Sequence, residues 1–95
     1  MQFILICYDG TDPGALERRM AVRERHFENV RELKRSNNII WGGAILDEEE
    51  KMIGSVVVYE YPDRTSLEKM LEEEPYILGR VWEKIEIKPF RLANI

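Results

Sequence analysis

Residues 2–8, QFILICY, form a nearly unbroken apolar and aromatic run that ends in the turn-rich DGTDPG, and such a run predicts a strand. From residue 13 to 36 the apolar positions recur three and four apart, the period of an amphipathic helix. Asp12 is placed to cap that helix, Pro13 suits its first turn, and SNN at 36–38 ends it. IIWGGAIL (39–46) and MIGSVVVYE (52–60) read as two strands joined by the polar turn DEEEK, hence a hairpin. A second helix follows YPD: Thr65 and Glu68 have capping-box spacing, Leu67, Met70 and Leu71 form a short apolar stripe, and Pro75 stops it near Glu74. PYILGR has room for a short helical turn, and VWEKIEIKPF (81–90) alternates like a last strand.

The order β-α-β-β-α-β predicts a ferredoxin-like α+β fold over residues 1–95 as a single domain, a four-stranded antiparallel sheet with two helices on one face. Strand parity adds a demand. Phe3, Leu5 and Cys7 point one way and Ile4, Ile6 and Tyr8 the other; Ile53, Val57 and Tyr59 share one parity, Val56 and Val58 the opposite one. Both faces of the sheet are therefore apolar, and two helices cover only one. Each Val or Ile left in water forgoes roughly 1.5–3 kcal/mol of burial, so a homodimer packed sheet against sheet is expected.

Composition narrows the function classes. A chain of 95 residues buries a modest share of its surface, so a partner copy would help it. A net charge of −4 lacks the basic footprint of a nucleic-acid binder. No stretch is long and apolar enough to span a membrane, and the first residues show neither a basic leader nor a small-residue cleavage site, so a cytoplasmic location is expected. The one cysteine, Cys7, suits a reducing compartment. One Cys and one His without ligand spacing give no reason to expect a metal. The acidic runs at 47–50 and 72–74 read as a solvated turn and a helix end, Glu74 apart.

The first helix carries an anomaly. With Leu16 at zero on a helical wheel, Met20, Phe27, Val30 and Leu33 fall at about 40°, 20°, 320° and 260°, an arc facing the sheet. Arg23, Arg19 and His26 land at about 340°, 300° and 280°, inside that arc, while Glu17, Glu24, Arg25, Glu28 and Glu32 lie opposite. Arg19 and Arg23 are a like-charged i,i+4 pair, and burying a guanidinium without a partner costs several kcal/mol. An acidic cavity or an anionic ligand would offset that cost. The plainer alternative is that the arginines run along the sheet to solvent and His26 is a hydrogen-bonded core residue. Asp9, closing the first strand, and Glu74, at the end of the second helix, are the carboxylates able to orient the imidazole, and an oriented imidazole is a general acid/base. Nucleophiles are poor: Cys7 is expected inside the sheet, and Ser55 is mid-strand with no base placed by the sequence. Proton transfer is favoured over covalent catalysis.

RMAVRERHFENV, with Arg19, Arg23 and His26 at that spacing, resembles the helix-one signature of the YCII-related family, and WGGAI (41–45), GSVVVYE (54–60), EPY (74–76) and IEIKPF (85–90) resemble its later segments in order. The resemblance implies a subunit of a dimeric α/β barrel with a histidine–aspartate pair in a pocket. The histidine carries over onto His26 and the aspartate position onto Glu74, one methylene longer than the family's usual Asp; Asp9 resembles an acidic residue near the end of the family's first strand. One branch looks like a dehydrochlorinase of a chlorinated polyhydroxybenzene, and fold relatives include muconolactone isomerases. The expectation is a small enzyme of lyase or isomerase type that uses no cofactor and acts on an anionic or phenolic molecule. His26 would be the acid/base and Glu74 its orienter. Arg19, Arg23, Asp9 and Tyr76 would bind substrate, with Tyr8, Trp41 and Tyr76 as an apolar wall. The alternatives are a non-catalytic dimeric module that binds a small ligand and an interaction protein using the acidic turn at 47–50.

Overall fold

The computed structural model describes residues 1–95. Its elements are β1 (Gln2–Asp9), α1 (Ala15–Arg35), β2 (Ile39–Leu46), β3 (Met52–Glu60), α2 (Arg64–Leu71), α3 (Pro75–Leu78) and β4 (Trp82–Phe90). The four strands pair antiparallel in the order β2-β3-β1-β4, which puts β1 and β3 in the middle. This is the ferredoxin-like arrangement, with the helices on one face. Phe3, Leu5 and Cys7 of β1 and Val57 and Tyr59 of β3 form the floor of the core, and Leu67, Leu71, Tyr76 and Val81 close over it. No helix is long and apolar enough to cross a membrane.

Three local details differ from the sequence reading. Helix α1 starts at Ala15 rather than Pro13, with Gly14 at its N-cap position and no side-chain cap. The Asp12 carboxylate instead accepts from the Gly14 N–H at 3.2 Å and from both terminal nitrogens of Arg18 at 2.7 and 2.8 Å. That guanidinium holds the Asp12 carboxyl down at about 2. Helix α2 is capped by Asp63, not Thr65: the Asp63 carboxylate accepts from the Ser66 N–H at 2.8 Å, and the bond lowers its pKa. Glu68 pairs with Arg64 across one turn rather than closing a capping box.

The third difference bears on function. Leu16 and Met20 of α1 are 39% and 51% exposed, whereas Ala15, Arg19 and His26 are buried and Val22, Val30 and Leu33 pack on the core. The inward arc is therefore centred near His26, about 80° away from Leu16. Two cationic-type side chains with buried carboxylate partners set the rotation, because leaving those partners unpaired would cost more than exposing two apolar tips. The rotation seats Val22 against α3, where a Cβ on Gly79 would come within 3.1 Å of both Val22 methyl groups.

The other face of the sheet carries Ile4, Ile6, Tyr8, Trp41, Ile45, Val56 and Val58, brought together by the β1–β3 and β2–β3 registers. Tyr8 and Trp41 are 45% and 44% exposed there. They lie across the sheet from α1, so they form no wall of the site described next; strand parity puts them on the face opposite Cys7 and Gly42.

Candidate active site

Five polar side chains are buried in this chain, Asp9, Arg19, His26, Ser55 and Glu74, and they sit in two hydrogen-bonded groups joined by Tyr76. Each comes from a different element or level. Asp9 shares the inward parity of Phe3, Leu5 and Cys7, and a register irregularity that skips Glu83 on β4 sets Trp82 opposite it. Arg19 and His26 stand two turns apart on α1. Pro75 disfavours a helical conformation for the residue before it, and Glu74, beyond the end of α2 at Leu71, accordingly has extended φ and ψ of −69° and 120°. Its carboxylate then caps α3, accepting from the Tyr76 N–H at 3.1 Å.

The first group is His26 and Glu74. His26 Nδ1 lies 2.5 Å from Glu74 Oε1, and Glu74 Oε2 accepts from Asn29 Nδ2 at 3.2 Å. Glu74 is fully buried, so its charge is compensated entirely by these donors. In the neutral imidazole, an Nδ1–H that donates to the carboxylate leaves the lone pair on Nε2. His26 lies flat on Tyr76, ring centroids 3.8 Å apart and planes 9° from parallel, and meets the edge of Trp82 at 6.1 Å.

The second group is Asp9, Arg19, Ser55 and Trp82. Arg19 Nη1 donates to both Asp9 oxygens at 3.0 and 2.9 Å, and Arg19 Nη2 donates to Ser55 Oγ at 2.8 Å. Trp82 Nε1 donates to the same Oγ at 3.0 Å. The guanidinium carbon lies 4.8 Å from the Tyr76 ring centroid. Arg19 Nε is buried without an acceptor.

Beside both groups lies a cavity of about 320 Å³. Arg19, Arg23, His26 and Tyr76 supply its polar and aromatic side; Phe27, Val30 and Val57 supply its apolar side, and Gly42 and Ala44 of β2 leave it room. Arg23 is half-buried, has its guanidinium 4.5 Å from the Phe27 ring centroid, and has no carboxylate partner. The structure thus brings together His26, Glu74, Arg19, Asp9 and Tyr76, with Arg23 at the cavity. Asp9, expected beside substrate, has its carboxylate taken up by Arg19 and is not among the residues lining the cavity. Cys7 is buried in the sheet, and burial, reinforced by the charges of Glu74 and Asp9, pushes its thiol from 9.0 up to about 12. Burial also raises the Tyr76 phenol, opposed by Arg19 and Arg23. No three side chains that ligate metals converge anywhere in the chain.

Two members of the site were not singled out from the sequence. Asn29 follows His26 by three residues, a same-face spacing that marks it as a neighbour. Trp82 carried no local signal; only the β1–β4 register places it against Ser55.

Fold and site together define a ferredoxin-like α+β protein with a buried histidine–carboxylate pair beside a cavity. More particularly, the chain belongs to the family of the YCII-related domain, which matches residues 1–91. An uncharacterized protein of Haemophilus influenzae is 29% identical, over 96% of this chain and 97% of its own. Protein YciI of Escherichia coli is 24% identical, over 96% of this chain and 97% of its own. Among solved structures, the 5-chloro-2-hydroxyhydroquinone dehydrochlorinase TftG of Burkholderia phenoliruptrix, in complex with 2,5-dihydroxybenzoquinone, superposes with a TM-score of 0.83 at 20% identity, covering 98% of this chain and 96% of that one. At that identity the likeness is one of fold.

Proposed function

We propose that this chain is a small cytoplasmic enzyme of lyase or isomerase type that moves a proton on a small anionic or phenolic molecule. His26 is the general acid/base through Nε2, and Glu74 orients it through Nδ1. Arg23 neutralises the negative charge of the substrate, Arg19 adds positive potential from behind, and Tyr76 forms the wall on which an aromatic ring lies. Asp9 acts on substrate only through Arg19. In a dehydrochlorination, His26 would take the proton while chloride leaves the ring with its bonding electrons, so that hydrogen chloride is lost and no oxidant is needed. One observation carries this reading: an imidazole tied to a buried carboxylate at one nitrogen lines a cavity that also holds an unpaired arginine.

Chloride release from 5-chloro-2-hydroxyhydroquinone, the compound named for the dehydrochlorinase, is the direct assay. His26→Ala is expected to lower the rate by about 10²–10⁴-fold, the usual contribution of a positioned acid/base. Equal rates in the two proteins would refute the catalytic role. Binding of 2,5-dihydroxybenzoquinone without turnover would instead favour the non-catalytic binding module.

The same reading includes a homodimer through the uncovered sheet face, where Trp41 and Tyr8 are exposed and Ile4, Ile6 and Val56 half-buried, so a second copy would add burial.

A further inference from the structure

Ser55 stands in the middle of β3, is 3% exposed, and lines the cavity. A serine hydroxyl has one proton and two lone pairs. Arg19 Nη2 and Trp82 Nε1 both donate to its oxygen, and neither a guanidinium nor an indole N–H accepts a hydrogen bond. Both lone pairs are therefore engaged, and the Ser55 proton has no acceptor in the protein. The two donors are themselves held. Arg19 is gripped by both oxygens of Asp9, and Trp82 packs edge-on against Tyr76 with ring centroids 5.6 Å apart. The polarity of this hydroxyl is thus imposed from behind: it donates and does not accept.

We infer that Ser55 is a dedicated hydrogen-bond donor to the ligand of this cavity, and that the ligand carries an acceptor oxygen there, a carbonyl or an ionised hydroxyl on a small ring. This inference rests on the cavity being the substrate site proposed above. Ser55 is not a nucleophile in this arrangement, because no base receives its proton. It selects instead: a ligand offering only a donor at that point would set two protons against each other. Asp9, Arg19 and Trp82 are positioning residues for this one hydrogen bond, which gives the Asp9–Arg19 pair a role although Asp9 does not reach the cavity.

The test has an arm without ligand and an arm with it. In an atomic-resolution crystal structure of the free protein, an ordered water is expected about 2.6–3.0 Å from Ser55 Oγ on the cavity side. That water should be missing in Ser55→Ala. A Ser55 hydroxyl donating to a protein carbonyl, with Arg19 or Trp82 turned away, overturns the inference. In calorimetry with 2,5-dihydroxybenzoquinone, Ser55→Ala is expected to bind about ten- to hundredfold more weakly than wild type. Unchanged affinity in a folded Ser55→Ala protein overturns it as well. Should Ser55→Ala fail to fold, Trp82→Phe decides, because it returns one lone pair to Ser55 and leaves the hydroxyl in place. The preference of the wild type for the quinone over p-xylylenediamine, whose ammonium groups offer only donors, should then shrink, and an undiminished preference counts against the inference. If the wild type binds neither compound, the substrate reading of the cavity fails, and the crystal arm alone settles the polarity of Ser55.

Discussion

Arg19 and Asp9 are 3% and 7% exposed, and each is the other's only ion-pair partner. Removing one partner of such a pair costs about 3–5 kcal/mol, because the remaining charge stays buried. Arg19→Ala is expected to lose that much in urea unfolding, and the double variant Arg19→Ala/Asp9→Ala is expected to recover part of it; additive losses would show that the two side chains are not coupled. Tyr59 behaves in the opposite way. Its hydroxyl is buried without a hydrogen-bond partner, so Tyr59→Phe is expected to be neutral or stabilising by about 1 kcal/mol. Cys7 yields a pH prediction. Its thiol is raised from 9.0 to about 12 in the folded protein, so below pH 9 both states hold the proton and the buried neutral thiol contributes fully to stability. Above pH 9 the unfolded chain loses that proton first, and the contribution fades as pH climbs through about 12. Iodoacetamide at pH 8.5 should leave native Cys7 unlabelled and modify it only in denaturant; rapid native labelling would contradict its burial.

At the scale of elements, Gly54 has the least room of the glycines in the sheet: a Cβ there would overlap the Cys7 carbonyl oxygen of β1. Backbone cannot yield there as a flexible side chain would, so Gly54→Ala must part the two central strands. A loss of about 1–3 kcal/mol or more is expected, read as a lowered urea midpoint, and an unchanged midpoint would mean the strands separate at little cost. This contact was not legible in the sequence, because nothing local marks which glycine meets a neighbouring strand. The strands themselves were legible, since their period and β-branched content are local properties. The turn from α2 into α3 was legible in part: Pro75 predicts a stop near Glu74, the helix ends earlier, at Leu71, and the proline sets the extended backbone of Glu74, whose carboxylate meets His26. The inward placement of Arg19 and His26 followed from helical spacing alone. The rotation of α1 away from Leu16 and Met20 did not, because it depends on carboxylates supplied from β1 and from the residue before α3. Asp63 displaced Thr65 as the cap of α2 for a similar reason: two acceptors lie within three residues, and chain direction, not composition, picks one.

On the scale of the whole molecule, the sheet has one face under helices and one bare. The bare face is apolar across β2, β3 and β1, and it turns polar at β4, where Lys84, Glu86 and Lys88 take the positions opposite Tyr8, Ile6 and Ile4. A patch that ends in a row of charges along one edge strand fits a bounded interface, and the same strand's charges discourage edge-to-edge growth into longer assemblies. A second copy related by a twofold axis would bring Trp41 and Tyr8 of each chain against Ile and Val of the other, in keeping with the isologous contacts of most dimers. Tyr8 and Trp41 keep 45% and 44% of their surface in water and Ile4, Ile6 and Val56 are half-buried, so pairing would bury the remainder, while Val58 is already covered. Light scattering should then report twice the chain mass of 11.3 kDa. Trp41→Arg places a charge on that face without touching the core or the cavity. It should give a monomer with an unchanged circular dichroism spectrum and a unfolding midpoint that no longer rises with protein concentration. A wild-type protein of single-chain mass, or a Trp41→Arg variant that stays paired, would move the interface elsewhere and leave the apolar face without an occupant.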